Sequence, residues 1–220
     1  MSSWPGKLIT FEGVDGAGKT TQVLLTAAAL EQRGYPVQTT REPGGTRLSE
    51  EVRRLLLDPQ FSEMVASTEA LLYAAARSQL VGEVILPALE SGKVVLCDRF
   101  VDSSLAYQGY GRGFGLDLLR TINAFALVGL GAFHTIVIDL QPEQGMRRFA
   151  TRESDRLEQE SASFHRRVRD GYRALAAAAP ERIRVVDGSG TEDAVQARVW
   201  AHVAAFLEGG EQGAPFTVPI

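Results

Sequence analysis

Short apolar runs recur along the chain, spaced so that a helix fits between each pair. Leu8–Phe11, Val94–Cys97, Thr135–Asp139 and Ile183–Asp187 are apolar or β-branched almost without interruption, and Val37–Thr40 is a fainter member of the same series. Unbroken apolarity, rather than alternation, marks a strand covered on both faces. The intervening segments carry helix signals. Lys19 to Arg33 reads as a helix stopped by Gly34, and Ser49 is placed to cap a short helix that ends at Asp58-Pro59. A long helical region spans about Thr68 to Leu89, with Pro87 expected to bend it and Gly92 to close it. Leu116 to Leu127, Pro142 to about Thr151, and Ala162 to Ala179 follow, the last stopped by Pro180. Thr191 caps a final helix to about Leu207. Gly109 to Gly115 reads as too rich in glycine for regular structure, and Arg152 to Gln159 as an exposed charged loop.

Strands that alternate with helices predict an α/β fold: one parallel sheet of five strands, helices on both faces and right-handed crossovers. Residues 1–220 form a single domain on this reading. Ligands then belong beyond the carboxyl ends of the strands, where the loops begin at Glu12, Arg41, Asp98, Asp139 and Asp187. Composition adds exclusions. A content of 45% hydrophobic and 23% charged residues is that of a globular protein, and a net charge of −4 argues against a general nucleic-acid binder. The single cysteine, Cys97, falls in an apolar run and reads as a core residue. No secretory signal is recognisable and no apolar run is long enough to span a bilayer, so a cytoplasmic protein without membrane contact is expected.

Candidate chemistry begins directly after the first strand. Gly13-Val14-Asp15-Gly16-Ala17-Gly18-Lys19-Thr20 is a complete phosphate-binding loop in its required context of strand, glycine turn and helix, with Thr21 following. Its backbone N–H groups and the helix N-terminus attract phosphate. Lys19 would reach the β- and γ-phosphates, and the Thr20 hydroxyl would hold Mg²⁺. A nucleoside triphosphate site follows, with no indication yet of what receives the phosphate. Asp98, at the end of a buried strand, suits either ordering of Mg²⁺ or a helix cap. Arg41 and Arg99 end neighbouring strand candidates, and two arginine forks beside a phosphate loop suggest a second anionic ligand. Tyr73 and Arg77 are four residues apart on one helix face, which suits a nucleobase, or equally a core tyrosine beside a surface arginine.

Taken together, Phe11 to Thr21, Thr40-Arg41-Glu42-Pro43-Gly44-Gly45-Thr46, Tyr73 to Arg77, Asp98-Arg99-Phe100, Tyr107-Gln108-Gly109 and Asp155-Arg156-Leu157-Glu158 resemble the bacterial thymidylate kinases in order and content. The resemblance covers Leu8 to about Leu207. It implies the three-layer sandwich of phosphate-loop kinases, phosphoryl transfer from ATP to dTMP with Mg²⁺, and a homodimer. It also implies residue roles. Asp15 would bind the 3′-hydroxyl of dTMP, and Arg41 and Arg99 its phosphate. Tyr73 would stack on thymine, where the family more often has Phe, and Arg77 would bond the O4 edge. Ser104 would lie near N3 with Gln108 beside it, and Tyr107 would lie under the sugar and crowd out a 2′-hydroxyl. Asp187 and the turn after it would border adenine. Some family members carry an arginine inside the phosphate loop, but the matching position here is Gly16. The charged stretch from Arg147 to Arg152 resembles a lid, at about 147–160, that supplies the missing cation in such cases. Arg152 is the first choice for that role and Arg148 the second, with Lys19, Arg99 and Asp98 completing the catalytic set.

The competing readings are another nucleotide kinase, a nucleotide-operated switch and a non-catalytic nucleotide-binding module. A switch that uses guanine would typically carry an Asn-Lys-x-Asp run, which is absent. Intact Lys19, Thr20 and Asp98 weigh against a non-catalytic module.

Overall fold

The computed structural model describes residues 6–148, 154–209 and 213–216. Five parallel strands form one sheet: β1 (Lys7–Glu12), β2 (Val37–Arg41), β3 (Val94–Asp98), β4 (His134–Asp139) and β5 (Ile183–Asp187), in the order β2-β3-β1-β4-β5. The helices are α1 (Lys19–Glu31), α2 (Arg47–Leu57), α3 (Ala66–Leu80), α4 (Leu86–Glu90), α5 (Val101–Ser104), α6 (Leu116–Ala126), α7 (Pro142–Arg147), α8 (Ala162–Ala178) and α9 (Glu192–Leu207). The central strands β1, β3 and β4 are almost wholly buried, whereas β2 and β5 at the edges are partly exposed, which explains why β2 is the faintest strand in the sequence. Two apolar clusters flank the sheet. The larger is built on Ile9, Phe11, Leu96 and Ile136, and the smaller on Leu8, Val95, Phe133 and Leu80.

Four local expectations are corrected. Helix α2 starts at Arg47, with Thr46 rather than Ser49 as its cap: the Thr46 hydroxyl accepts from the Ser49 N–H. The Ser49 hydroxyl is turned instead onto the Ala76 carbonyl at 2.9 Å and ties α2 to α3. The long helix is interrupted before Pro87, not at it, by a π-helical segment Val81–Ile85; the wider turn spares the proline ring a collision with the preceding turn. A second π-helical segment, Leu105–Gly111, covers glycines read as irregular. A Cβ on Gly111 would lie 2.6 Å from the Phe164 ring, so close packing on α8 makes glycine fit a helical segment there, against its intrinsic preference. Finally, the charged segment after residue 153 is not a free loop. Leu157 is buried, Arg156 donates to the Leu56 carbonyl at 2.9 Å, and its guanidinium lies against Glu69.

The order of the strands positions the site. The phosphate loop leaves β1 at the centre of the sheet, and β3 and β2 carry Asp98 and Arg41 to the same edge, where they are partners in register. Among the described residues no helix is long and apolar enough to cross a membrane.

Candidate active site

The turn from β1 into α1 is shaped by its glycines and held by its neighbour α7. Gly16 has φ +73°, and a Cβ there would sit 2.3 Å from the Gly145 carbonyl. A Cβ on Gly145 would in turn meet the Asp15 carbonyl at 2.1 Å. The two glycines therefore let α7 seat directly on the phosphate loop, and this contact leaves no room for an arginine at position 16. Arg148, just past α7, donates to the Gly16 carbonyl at 2.8 Å. Arg152 lies outside the described residues, as do the other residues of the expected lid from 149 to 153.

Lys19 is folded onto the loop that precedes it, with Nζ donating to the carbonyls of Val14 at 2.8 Å and Gly13 at 3.1 Å. Burial, aided by the neighbouring charge of Arg99, lowers its pKa to about 8 in spite of Asp15, Asp98 and Glu12 nearby. The ammonium thus sits where only an added anion would fully compensate it. Thr20 donates its hydroxyl to Asp98 at the open mouth of the loop.

Arg99 is the organising cation. It is the one non-glycine residue among those described with a left-handed backbone, at φ 67°. Its backbone N–H donates to the Phe11 carbonyl, and the next N–H, of Phe100, donates to Glu12 at 2.7 Å. Those bonds turn the guanidinium back across the site. Nη2 meets Asp15 at 2.5 Å and Tyr107 at 3.1 Å, and Nη1 reaches the Gly13 carbonyl at 3.0 Å. The Tyr107 hydroxyl donates to the other oxygen of Asp15 at 2.7 Å. Burial alone would raise the Asp15 pKa, but Arg99, Lys19 and Tyr107 outweigh it and hold the carboxyl at about 2. Glu12 behaves oppositely: fully buried and near Asp102, it is pushed up to about 7 despite its hydrogen bonds from Ser103 and Tyr172.

A cleft of about 1000 Å³ opens from this cluster, and Arg41, Tyr73, Arg99, Ser104, Tyr107 and Gln108 line it together. Arg41 is half exposed and paired with Glu50 at 3.1 Å. Arg53 is a further cation in the same wall, held by the Pro43 carbonyl at 2.8 Å. Sequence reasoning passed over Arg53. The available signal was its position three residues after Glu50, which puts both on the face of α2 that looks at Arg41. A smaller cavity adjoins the loop on its other side, bordered by Gly18, Thr21, Arg148, Gly188 and Gly190. Asp187 itself is exposed and turned into its own loop, where it accepts from the Ser189 hydroxyl at 2.8 Å.

Tyr73 and Arg77 do not follow the second of their two readings, a core tyrosine beside a surface arginine. Tyr73 faces the cleft, and Arg77 is 1% exposed behind it. All five guanidinium donors of Arg77 are used inside the protein: two on Glu42 at 2.5 and 2.8 Å, one on Ser104 at 3.0 Å, one on the Phe100 carbonyl at 3.1 Å, and one on Asn123. Arg77 is therefore not part of the cleft wall in this structure. Burial pushes Glu42 up to about 7 against the pull of Arg77, and its second oxygen finds no partner. Glu42→Ala is expected to cost about 3–5 kcal/mol in denaturant unfolding, because it leaves a buried cation unpaired. A loss below about 1 kcal/mol would show that Asn123, Ser104 and the Phe100 carbonyl suffice to hold Arg77.

The comparisons with known proteins agree with one another. The family model described as thymidylate kinase matches residues 11–199. The chain is 53% identical to a thymidylate kinase of Pelotomaculum thermopropionicum, over 94% of this chain and 99% of that one. It is 52% identical to a thymidylate kinase of Deinococcus radiodurans, over 90% and 97% of the respective chains. A crystal structure of thymidylate kinase from Ehrlichia chaffeensis superposes with a TM-score of 0.75 at 34% identity, covering 90% of this chain and 98% of that one.

Proposed function

The chain belongs to the thymidylate kinase family, and on that premise we propose how its residues divide the work of the reaction. The protein is a dTMP kinase that moves a phosphoryl group from ATP to dTMP, giving dTDP and ADP. The observation that carries the residue-level reading is the convergence of the phosphate loop, Asp98 and the arginines Arg41, Arg53 and Arg99 on one cleft. Phosphate groups arriving from both sides meet cations there. Gly13, Val14, Gly16, Ala17, Gly18 and Thr21 cradle the ATP phosphates, and the cavity bordered by Arg148, Gly188 and Gly190 receives the adenosine, with Asp187 next in sequence to Gly188.

The acceptor phosphate has a second pKa of about 6, so near neutrality it is already a dianion and needs no strong base. What remains is alignment and neutralisation. Arg41, Arg53 and Arg99 fix the dTMP phosphate, Asp15 takes the 3′-hydroxyl, and Lys19 leaves its carbonyl contacts for the transferring phosphate. A lid cation, Arg152 or Arg148, completes the charge; Arg148 already touches the phosphate loop. Thr20 and Asp98 offer one hydroxyl and one carboxylate in mutual contact, and among the described residues no cluster of three or more His, Cys, Asp or Glu could cage a metal. Such a sparse pair fits Mg²⁺, which keeps waters and takes its other oxygens from phosphates. When bound, Mg²⁺ would neutralise charge between the β- and γ-phosphates. The test is ADP release with ATP, Mg²⁺ and each of dTMP, dUMP, dCMP, dGMP and thymidine. ADP release independent of dTMP would favour a hydrolytic switch.

Tyr107 is held by Asp15 and Arg99 at the floor of the cleft, a position that suits contact with the sugar. Tyr107→Ala is expected to improve use of the ribose analogue relative to dTMP. An unchanged ratio of kcat/KM for the two would reject steric exclusion by this ring.

A homodimer is also proposed. Leu71 on α3 and Leu118 and Phe125 on α6 are exposed, as is Val128 just beyond it, and Phe125 reaches 81% exposure. A symmetric partner would cover this face. Light scattering at micromolar concentration should give twice the chain mass, and a monomer mass throughout would remove the proposal. Cys97 is buried and its thiol is pushed well up by burial, in keeping with a reducing cytoplasm as the proposed location.

A further inference from the structure

Glu69, on α3, is fully buried and has no part in the roles given above. A buried carboxylate is costly unless it is paired. This one is surrounded. Arg112 donates Nη2 to Oε2 at 3.0 Å and Nε to Oε1 at 3.3 Å. Arg156 places Nη2 at 2.6 Å from Oε2, an ion pair by distance although its N–H does not point along the contact. Gln108 donates Nε2 to Oε1 at 2.9 Å. Burial raises the Glu69 pKa, but the hydrogen bonds from Arg112 and Gln108 and the charge of Arg112 outweigh it and keep the group below the usual carboxylate range.

An ionised carboxylate has only acceptors to offer. Gln108 can therefore present only its NH₂ end to Glu69, which fixes the amide in one of its two orientations. The Gln108 Oε1 is then the end left over, and no group among the described residues donates to it. Gln108 lines the cleft together with Tyr73 and Ser104.

We propose that Glu69 is a specificity-positioning residue: it locks the Gln108 amide so that an acceptor faces the base, and so favours bases whose ring carries an N–H at that edge. Thymine and uracil carry N3–H, a donor. Cytosine presents a bare N3, which would oppose the Gln108 oxygen with a second acceptor and leave both unsatisfied. Arg112 and Arg156 belong to the same device, since they keep Glu69 charged. The proposal rests on the base pocket proposed above for Tyr73, Ser104 and Gln108.

The test is kcat/KM for dTMP, dUMP and dCMP with ATP, using the full chain. The variants are Glu69→Gln, Gln108→Met and the double variant. A neutral amide at position 69 can donate as well as accept, so Gln108 becomes free to turn over. Glu69→Gln is expected to raise dCMP use relative to dTMP by about ten-fold or more, with the KM for ATP changed less than about two-fold. In the Gln108→Met background the same substitution should leave the ratio unchanged. A ratio that stays at the parent value in Glu69→Gln, or one that shifts equally in the Gln108→Met background, overturns the proposal. If Glu69→Gln does not fold, Gln108→Met alone decides: discrimination should fall about ten-fold, and parent-like discrimination overturns the role. Failure of the parent to phosphorylate dTMP would instead strike the base-pocket reading and leave the orientation of Gln108 untouched.

Discussion

Lys19→Ala is expected to lower kcat by at least about 10²–10³-fold, the loss that follows when one preorganised charge is taken from a developing transition state. The reason lies in the surroundings of Lys19. Its ammonium is buried, bonded among the described residues to the Val14 and Gly13 carbonyls, and depressed to about 8, chiefly by burial and then by Arg99. An incoming phosphate supplies the missing countercharge, so the interaction grows as charge accumulates on the transferring group. The same circumstances predict the fate of the fold. A cation held in poor company contributes little to stability, so the melting temperature of Lys19→Ala should stay at or above that of the parent. Calorimetry and steady-state kinetics on the same preparation check both halves. Near-normal turnover would remove Lys19 from catalysis, and a melting temperature several degrees lower would show that it is a structural residue.

Arg99→Lys is expected to reduce kcat/KM for dTMP by about 10²-fold or more, although the formal charge is kept. Lysine cannot reproduce a fork that reaches Asp15, Tyr107, Ser103 and the Gly13 carbonyl from one plane. Those contacts place the cation between Asp15 and the Gly13 carbonyl of the phosphate loop, so on the proposed roles their loss should misplace the acceptor rather than the donor. The KM for dTMP should rise and kcat should fall, while the KM for ATP changes by less than about three-fold. A defect confined to ATP would place Arg99 on the donor side and contradict its assignment to the dTMP phosphate. Asp15 should feel the change too: with the guanidinium gone, its carboxyl loses the main influence that holds it at about 2.

What the sequence determined by itself is whatever depends on contiguous residues. The phosphate loop, the strand before it and the helix after it are spelled out between Leu8 and Arg33, because glycine conformations, backbone donors and apolar runs are local properties. The five strands were legible for the same reason, and the central ones most clearly, since burial on both faces demands unbroken apolarity. Tertiary structure alone decided matters that depend on distant partners. The buried state of Arg77 is set by Glu42, 35 positions away, and by Asn123, 46 positions away, and no spacing within α3 carries that information. Thr46 displaced Ser49 as a cap because Ser49 is drawn to the Ala76 carbonyl of another helix. The glycines at 109 and 111 lie within a helical segment because neighbouring side chains fill the space a Cβ would need, so glycine there serves packing rather than a turn. Glu69 reads in the sequence as one acidic residue in the first turn of a helix. Only the fold brings Gln108 and Arg112 to it from one distant segment and Arg156 from another, and an ionised carboxylate, which can only accept, then dictates which end of Gln108 is turned toward it.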